Sequence, residues 1–132
     1  MAKAKKLKQL SFTMPKRAGL LSEVSAVVAT AKVNFNSICA YEVEDKAYFM
    51  LTTDSNARSK KALAKLGIET KEDEVVAVEM PNKIGELQKV AKKIADAGIN
   101  INYVYGTTGI GKSSICVFKT SDNTKAIIVI NN

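Results

Sequence analysis

The chain has 132 residues, of which 46% are hydrophobic and 25% are charged, and its mean hydropathy is close to zero. This composition is typical of a globular protein and excludes a disordered chain. No apolar run approaches the roughly 20 residues that a membrane-spanning helix needs. The lysine-rich start, MAKAKKLKQL, also lacks the apolar core of a signal peptide. We therefore expect a cytoplasmic protein without a membrane partner.

The net charge of +7 comes from 20 Lys and Arg residues against 13 Asp and Glu residues. A basic excess can indicate a polyanionic partner. Lysines scattered over solvated faces explain it more simply, so we do not expect nucleic acid to be the partner. The two cysteines, Cys39 and Cys116, are interpreted as buried free thiols rather than as a disulfide.

The first half of the chain predicts the order strand, helix, strand, strand, helix. The first helix has apolar residues at i, i+3, i+7 and i+10; these are Leu21, Val24, Val28 and Ala31. Gly67 ends the second helix, and Ile68–Lys71 offers a short fourth strand. The five main elements are Leu7–Met14, a helix from Gly19, Val33–Val43, Ala47–Thr53 and Ala57–Leu66.

The only acidic run, Glu72–Glu74, predicts the joint before a second series of elements. In that series the helix carries Leu87, Val90, Ile94 and Ala97 on one face, and Asp122 can cap a last helix. The segment Ile127–Ile130 favours a strand by propensity, but the repeat described next favours a helix, which we adopt. The elements are Val75–Met80, Gly85–Ala97, Ile99–Tyr105, Ser113–Thr120 and Thr124–Ile130.

The two halves are copies of one unit. Met14–Cys39 corresponds to Met80–Tyr105 at a constant separation of 66 residues, and beyond the following hairpin Asp54 pairs with Asp122 at a separation of 68 residues. A lone unit of about 65 residues buries only about 60% of its surface, so we expect the two copies to pack together. We predict domains at residues 7–72 and 73–132.

The order of elements predicts an α+β protein made of tandem ferredoxin-like (βαββαβ) sandwiches. The second copy stops at Asn132, before its last strand. One sheet edge is therefore expected to be bare or filled by a partner chain. Because an exposed edge invites strand pairing, we expect a homodimer.

One segment, Gly106–Ser113, matches the phosphate-loop pattern G-x-x-x-x-G-K-[ST] letter for letter. In a true phosphate loop the glycines lead into a helix whose N-terminus faces the phosphates. Here a predicted strand follows, so we interpret the segment as a glycine-rich hairpin loop.

The sequence offers no convincing catalytic set. It has no His, its cysteines have no obvious activating base, and its acidic residues lie in predicted turns, caps and helix faces. We therefore predict that the chain is not an enzyme, and that it has neither a metal site nor a cofactor.

The repeated turn, Pro15–Gly19 and Pro81–Gly85, leads from a strand end into a helix start. A helix start presents unpaired N–H groups and a partial positive charge, which suit a carboxylate. We expect Asn34 and Asn100, which open the next strand, to lie beside this turn and to orient a ligand through their amides.

These residues resemble the ACT domain, a small amino-acid-sensing module attached to many enzymes of amino-acid metabolism. The resemblance rests on Asn82 and Gly85 in the turn, Leu87 and Val90 on the helix, and the segment 97–101. The first copy matches at Gly19, Leu21, Val24 and Asn34. The chain is similar to stand-alone tandem ACT proteins, relatives of the regulatory parts of branched-chain amino-acid synthesis.

The resemblance implies a βαββαβ fold and ligands held at the interface of paired units by the first turn, the helix start and the second strand. From the second copy it implies Asn82, Lys83, Ile84, Gly85, Glu86, Leu87, Asn100 and Ile101. From the first copy it implies Lys16, Arg17, Ala18, Gly19, Leu20, Leu21, Asn34 and Phe35. Lys16 stands where the second copy has Asn82, so the two sites are not expected to be equivalent.

We expect an amino-acid-binding regulatory protein that takes a small free amino acid as ligand and acts on a metabolic enzyme. The alternative is an RNA-binding ferredoxin-like module that stacks bases on Phe12, Tyr48 and Phe49. The second copy has Ser114 and Ile115 at the matching positions, which weighs against RNA. A structural adaptor without a ligand is the third interpretation.

Overall fold

A computed structural model describes residues 1–107 and 111–132. By compactness the chain divides into two units. The N-terminal unit is residues 8–73, and the C-terminal unit is residues 1–7 together with 74–132. The predicted order of elements is confirmed, and their bounds are β1 Lys3–Pro15, α1 Leu20–Thr30, β2 Phe35–Val43, β3 Lys46–Thr53, α2 Asn56–Ala64, β4 Lys71–Pro81, α3 Glu86–Asp96, β5 Ile101–Thr107, β6 Ser113–Thr120 and α4 Asn123–Asn131.

The N-terminal unit is a sheet with two helices packed on one face. Its strand order is β2-β3-β1, followed by residues 71–73 of β4, and β3 runs antiparallel to both β1 and β2. Every second residue of β1 and β3 points toward the helices. The resulting core includes Leu10, Phe12, Phe49, Leu51, Val24, Val28 and Leu63.

The C-terminal unit repeats this architecture. Its strand order is β5-β6-β4, followed by residues 3–7 of β1, and β6 runs antiparallel to both β4 and β5. The helices α3 and α4 cover one face over a core that includes Val76, Val78, Val90, Ile94, Phe118 and Ile130. The predicted α+β class with tandem ferredoxin-like units is therefore confirmed.

The expected bare edge of the second copy was wrong, because the start of the chain takes the place of its missing strand. Residues 3–7 lie beside β4, and Lys6 Nζ is 3.9 Å from a carboxylate oxygen of Glu74. The side chain of Asn131 closes the other side of this segment. It accepts from the N–H of Ala4 at 2.7 Å and donates to the C=O of Ala4 at 3.0 Å, as a neighbouring strand would.

The predicted short strand at Ile68–Lys71 was also wrong. Residues 68–70 form no regular element, and β4 begins at Lys71 and runs without a break to Pro81. The acidic run Glu72–Glu74 therefore lies inside a strand rather than in a linker, although the boundary between the compact units falls at Asp73. Acidic side chains do not prevent pairing where the strand face is solvated.

In the first helix of each unit the predicted burial of Val24, Val28, Val90 and Ile94 is confirmed, but the predicted burial of the first leucine of each stripe was wrong. Leu21 and Leu87 are 55% and 51% exposed, whereas Leu20, Val24 and Val28 are buried in α1. The reason is the helix start at residue 20, which turns the i, i+4, i+8 row toward the sheet. The position that corresponds to Leu20 holds Glu86 in α3, so the C-terminal unit leaves this row incomplete.

An asparagine clamp is repeated at the start of each second helix. Asn56 Oδ1 accepts from the Thr53 hydroxyl at 2.8 Å, and its amide donates to the C=O of Lys8 at 3.0 Å. Asn123 makes the same two bonds at 2.7 and 2.9 Å, to Thr120 and to the C=O of Glu74. This pairs Asn56 with Asn123 at a separation of 67, so the predicted pairing of Asp54 with Asp122 is off by one residue.

The last element is a helix, as the repeat predicted. Asp122 caps it by accepting from the N–H of Lys125 at 3.0 Å, and Ser55 caps α2 by accepting from the N–H of Arg58 at 3.4 Å. Residues 108–110 of the phosphate-loop match lie outside the described residues. The segment that follows it, Ser113–Thr120, is the strand β6.

Both cysteines are free, as predicted, but they are partly exposed rather than buried. Partial burial raises the pKa of the Cys116 thiol. Gly106 lies so close to Cys116 that a Cβ at this glycine would be 2.8 Å from the sulfur. The sheet therefore requires a glycine at this position.

The two hydrogen bonds between Asn131 and Ala4 predict that the Asn131 side chain stabilises the N-terminal segment of β1. Substituting Asn131→Ala removes two hydrogen bonds to Ala4, so we expect a loss of about 1 kcal/mol in the free energy of unfolding. Hydrogen exchange of the Ala4 amide is expected to speed up as well. Urea unfolding and amide exchange check this, with Asn132→Ala as the matched control. Equal stability of the two variants would contradict the clamp.

Candidate functional site

The candidate site begins at a glycine that starts the first helix of each unit. Gly19 and Gly85 have φ values of +87° and +86°, in the left-handed region. A Cβ at either position would meet nothing within 4 Å, so the requirement for glycine comes from the backbone alone. Neither residue provides a side-chain cap. The Glu86 N–H that starts α3 donates to the C=O of Lys83 at 3.3 Å. The N–H groups that remain open to an anion are therefore the first ones of α1 and those of Leu87 and Gln88 in α3.

The turn before each helix is tied to the hairpin of its own unit. The N–H of Lys16 donates to the C=O of Asp45, and the N–H of Asn82 donates to the C=O of Lys112, both at 2.9 Å. The side chain of Asn82 also donates to the C=O of Gly111 at 3.1 Å. Each turn thus lies at the end of the sheet where the second strand meets the third.

Asn34 and Asn100 lie at the other end of the sheet. Asn34 exchanges bonds with Asp54, because its N–H donates to the carboxylate at 3.1 Å and its C=O accepts from the Asp54 N–H at 3.1 Å. Asn100 is held in the same way by Ser121, with bonds of 3.0 and 2.9 Å. Both amide side chains are left without a hydrogen bond in the described part of the chain. The roles of Asp54 and Ser121 in holding these asparagines were not predicted from the sequence. They could have been found from the repeat, because the two residues occupy equivalent positions in the two copies.

The expectation that Asn34 lies beside the glycine turn of its own unit was wrong. The turn lies at the Lys46 end of β3, since Pro15 pairs with Lys46, whereas Phe35 pairs with Thr53 at the opposite end. The seven residue steps from Lys46 to Thr53, at about 3.3 Å each, separate these ends by roughly 23 Å. The helix α1 carries the chain from one end to the other, which the sequence argument overlooked.

The remaining candidate residues divide by exposure. Ile84 is fully exposed and Leu21 and Leu87 are half exposed, whereas Leu20 is buried under α1. Glu86, Phe35 and Ile101 are partly buried. Residues exposed in the turns and strand starts are Lys16, Arg17, Ala18, Gly19, Asn34, Asn82, Lys83, Gly85 and Asn100.

Charged partners already hold several of these side chains. Arg17 makes a two-point ion pair with Glu23, which raises the pKa of Arg17 and lowers the pKa of Glu23. Lys16 Nζ is 3.9 Å from Glu42, and Glu86 accepts from Lys89 at 3.5 Å. Each helix therefore has one carboxylate in its first turn, and each carboxylate is paired with a basic side chain, Glu23 with Arg17 and Glu86 with Lys89.

Two of the three aromatic residues considered for RNA stacking are not available. Phe12 and Phe49 are stacked on one another at 4.9 Å and are 5% and 3% exposed, in the core under the helices. Only Tyr48 lies on the helix-free face, where it stacks on Tyr41 at 5.3 Å. The geometry therefore does not favour base stacking in the N-terminal unit.

Two further features, a metal-binding cluster and a membrane-spanning helix, are absent from the residues that the structure describes. Residues 1–107 and 111–132 contain no group of three or more Cys, Asp or Glu side chains that could hold a metal ion. Within the same residues, every helix is too short or too polar to cross a membrane.

Comparison with known families agrees with this geometry. Residues 5–132 match the ACT domain pair family, so the chain belongs to that family. No curated protein matches the chain.

Two solved structures resemble the chain over nearly all its length. Protein BT0572 from Bacteroides thetaiotaomicron is 27% identical, with a TM-score of 0.89, over 97% of this chain and 88% of that one. The ligand-free regulatory subunit of aspartate kinase from Thermus thermophilus has the same fold at 13% identity. Its TM-score is 0.70, over 98% of this chain and 94% of that one.

The left-handed glycine gives a direct prediction about stability. Substituting Gly85→Ala places a Cβ on a backbone with φ near +86°, so we expect a loss of roughly 1–2 kcal/mol. Gly111→Ala is the matched control, since a Cβ there also meets nothing and its φ is outside the left-handed region. Urea unfolding of both variants measures the difference, and equal midpoints would refute the backbone argument.

The Arg17–Glu23 pair predicts a pH dependence. A carboxyl group whose folded-state pKa is lowered contributes stability above its unfolded pKa, and that contribution is lost as the pH falls through the folded pKa. In Arg17→Gln the pKa of Glu23 is expected to return toward its ordinary value. NMR titration of the carboxyl carbon measures this, and an unchanged pKa would show that Arg17 is not the cause.

Proposed function

We propose that this chain is a non-catalytic regulatory protein of amino-acid metabolism that binds a small free amino acid between paired ACT units. The observation that carries the proposal is the pair of helix starts without a side-chain cap, at Gly19 and Gly85. Each offers N–H groups and a partial positive charge to the ligand's carboxylate. The amides of Asn34 and Asn100 are the partners proposed for the ligand's amine.

The separation of these groups within a unit supports an interfacial site. A glycine turn and an asparagine about 23 Å apart cannot both touch a molecule the size of an amino acid. A site that uses both must therefore take the turn from one unit and the strand start from another. We propose that the ligand bridges two units in this way and stabilises their pairing.

The proposed assembly is a homodimer. Each unit leaves equivalent apolar side chains exposed, Leu21 and Ile38 in one and Leu87 and Val104 in the other, at 41% to 55% exposure. In each unit the strand after the first helix lies at the sheet edge, where its outer backbone groups are open to pairing. Apolar side chains and open edges together are typical of a surface covered by another chain.

We place the protein in the cytoplasm, with a metabolic enzyme as its regulatory target and the ACT domains at residues 7–72 and 73–132. The fold shared with regulatory subunits of aspartate kinase supports a target enzyme by analogy alone. The proposed ligand-binding residues are the sixteen that the family resemblance implied; fifteen of them are proposed to contact the ligand, and the buried Leu20 supports the site from the core.

Thermal unfolding with each of the twenty amino acids tests the proposal. A true ligand at about one hundred times its dissociation constant is expected to stabilise the fold by roughly 2.7 kcal/mol. Asn34→Ala and Asn100→Ala are expected to reduce this stabilisation, while Asn132→Ala leaves it unchanged. A chain that responds to none of the twenty at millimolar concentration would contradict the function. Light scattering that gives one 14.3 kDa chain with ligand present would contradict the homodimer.

A further inference from the structure

The C-terminal unit contains a cavity that the proposed regulatory site does not use. It has a volume of about 280 Å³ and lies where β1, β4 and β6 meet. Charged residues of both signs line it together with small or apolar ones. The lining residues are Lys3, Ala4, Lys5, Ala77, Glu79 and Ile115.

The cavity lies on the helix-free face of the sheet. Val78 and Met80 are buried under the helices of this unit, so Ala77 and Glu79 point to the opposite face. Glu79 pairs directly with Ile115 across the β4–β6 ladder. Ala4 is also part of the helix-packed core, so its neighbours Lys3 and Lys5 point to the same open face.

The charged groups around this cavity do not neutralise one another. Neither Lys3 nor Lys5 forms an ion pair within the described residues, although Lys6 on the same strand reaches Glu74 at 3.9 Å. Glu79 accepts only a weak bond from the Ser113 hydroxyl at 3.4 Å. Two ammonium groups and one carboxylate thus border the same space with no direct contact, and the space has room for a small molecule.

The N-terminal unit carries a different set of charges at the corresponding positions, because Glu69 stands for Lys3 and Lys71 stands for Lys5. Ser11 stands for Ala77, Thr13 for Glu79 and Tyr48 for Ile115. Ser11 there donates to Asp73 at 3.2 Å, and Tyr48 stacks on Tyr41. The corresponding place in the N-terminal unit is a cavity of about 640 Å³ lined by Thr13, Glu69 and Lys71, where Lys71 Nζ is 4.0 Å from Asp73, so the two units present different charges there.

We propose that this cavity is a second ligand site, distinct from the interfacial site, and that it binds an α-amino dicarboxylate such as L-glutamate or L-aspartate. The two carboxylates of the ligand pair with Lys3 and Lys5, and its ammonium pairs with Glu79. The net charge of −1 on the ligand balances the net charge of +1 on these three side chains. Ala77 and Ile115 supply apolar surface for the methylene groups of the ligand.

Calorimetric titration at low ionic strength, where exposed charges are least screened, tests this site. L-Glutamate is expected to bind saturably. Glutarate, which lacks the ammonium, and L-glutamine, which lacks the second carboxylate, are expected to bind about tenfold more weakly, because each leaves one charged group without its partner. The proposal is overturned if neither L-glutamate nor L-aspartate binds saturably. It is also overturned if glutarate binds with the same affinity as L-glutamate.

Neutral variants locate the site. The double variant Lys3→Gln with Lys5→Gln, and the single variant Glu79→Gln, are each expected to weaken binding at least about tenfold. These side chains are exposed, so circular dichroism is expected to report an unchanged fold. Lys8→Gln, an exposed lysine on the same strand without an ion pair, is the matched control. Binding that survives the double lysine variant overturns the assignment.

The proposal of the cavity site and the proposal of the interfacial site can be contradicted independently of one another. Asn34→Ala, which weakens the interfacial site, is expected to leave L-glutamate binding at the cavity unchanged. If that variant abolishes L-glutamate binding while the double lysine variant retains it, the ligand belongs to the interfacial site and the second site does not exist.

Discussion

The strand β1 is the element on which both units depend. Its thirteen residues, Lys3–Pro15, supply a segment to each unit: residues 3–7 complete the C-terminal sheet and residues 8–15 form an inner strand of the N-terminal one. A ferredoxin-like sandwich needs four strands to bury the faces of its two helices. The C-terminal unit has only three of its own, and the start of the same chain supplies the fourth. The edge that seemed available to a partner is therefore occupied.

Much of the fold could be predicted because the chain contains the same unit twice. The repeat decided that the Ile127–Ile130 segment is helical, against its β propensity, since Asp122 caps it as Ser55 caps α2. The fourth strand of the C-terminal sheet could not be predicted. Residues 3–7, which form it, are far from β4 in sequence and carry no pattern that identifies β4 as their neighbour. The burial of Val24 and Val28 in α1 was predicted correctly, but Leu21 was predicted in place of Leu20, because both are leucines and only the position of the helix start distinguishes them.

The candidate site was predicted in part for the same reason. The glycine turns follow from sequence, since a left-handed residue before a helix is almost always glycine. The position of Asn34 did not follow, because sequence proximity of turn, helix and strand suggested one cluster. An eleven-residue helix at 1.5 Å per residue carries the chain about 16 Å along the sheet. That length moves the asparagine out of reach of the glycine turn of its own unit.

Duplication also explains why the two units can differ in chemistry while sharing one backbone. The asparagine clamp recurs with bonds of nearly equal length at Asn56 and Asn123, so the interactions that position the second helix are the same in both. Side chains outside this frame have diverged: Leu20 against Glu86 at the helix start, and Tyr48 against Ile115 on the open face. Neither change alters the hydrogen bonds of Asn56 and Asn123 or replaces the glycines at 19 and 85. Each unit can therefore carry a different set of charges without loss of the fold. The two copies therefore present unlike side chains on the same backbone frame.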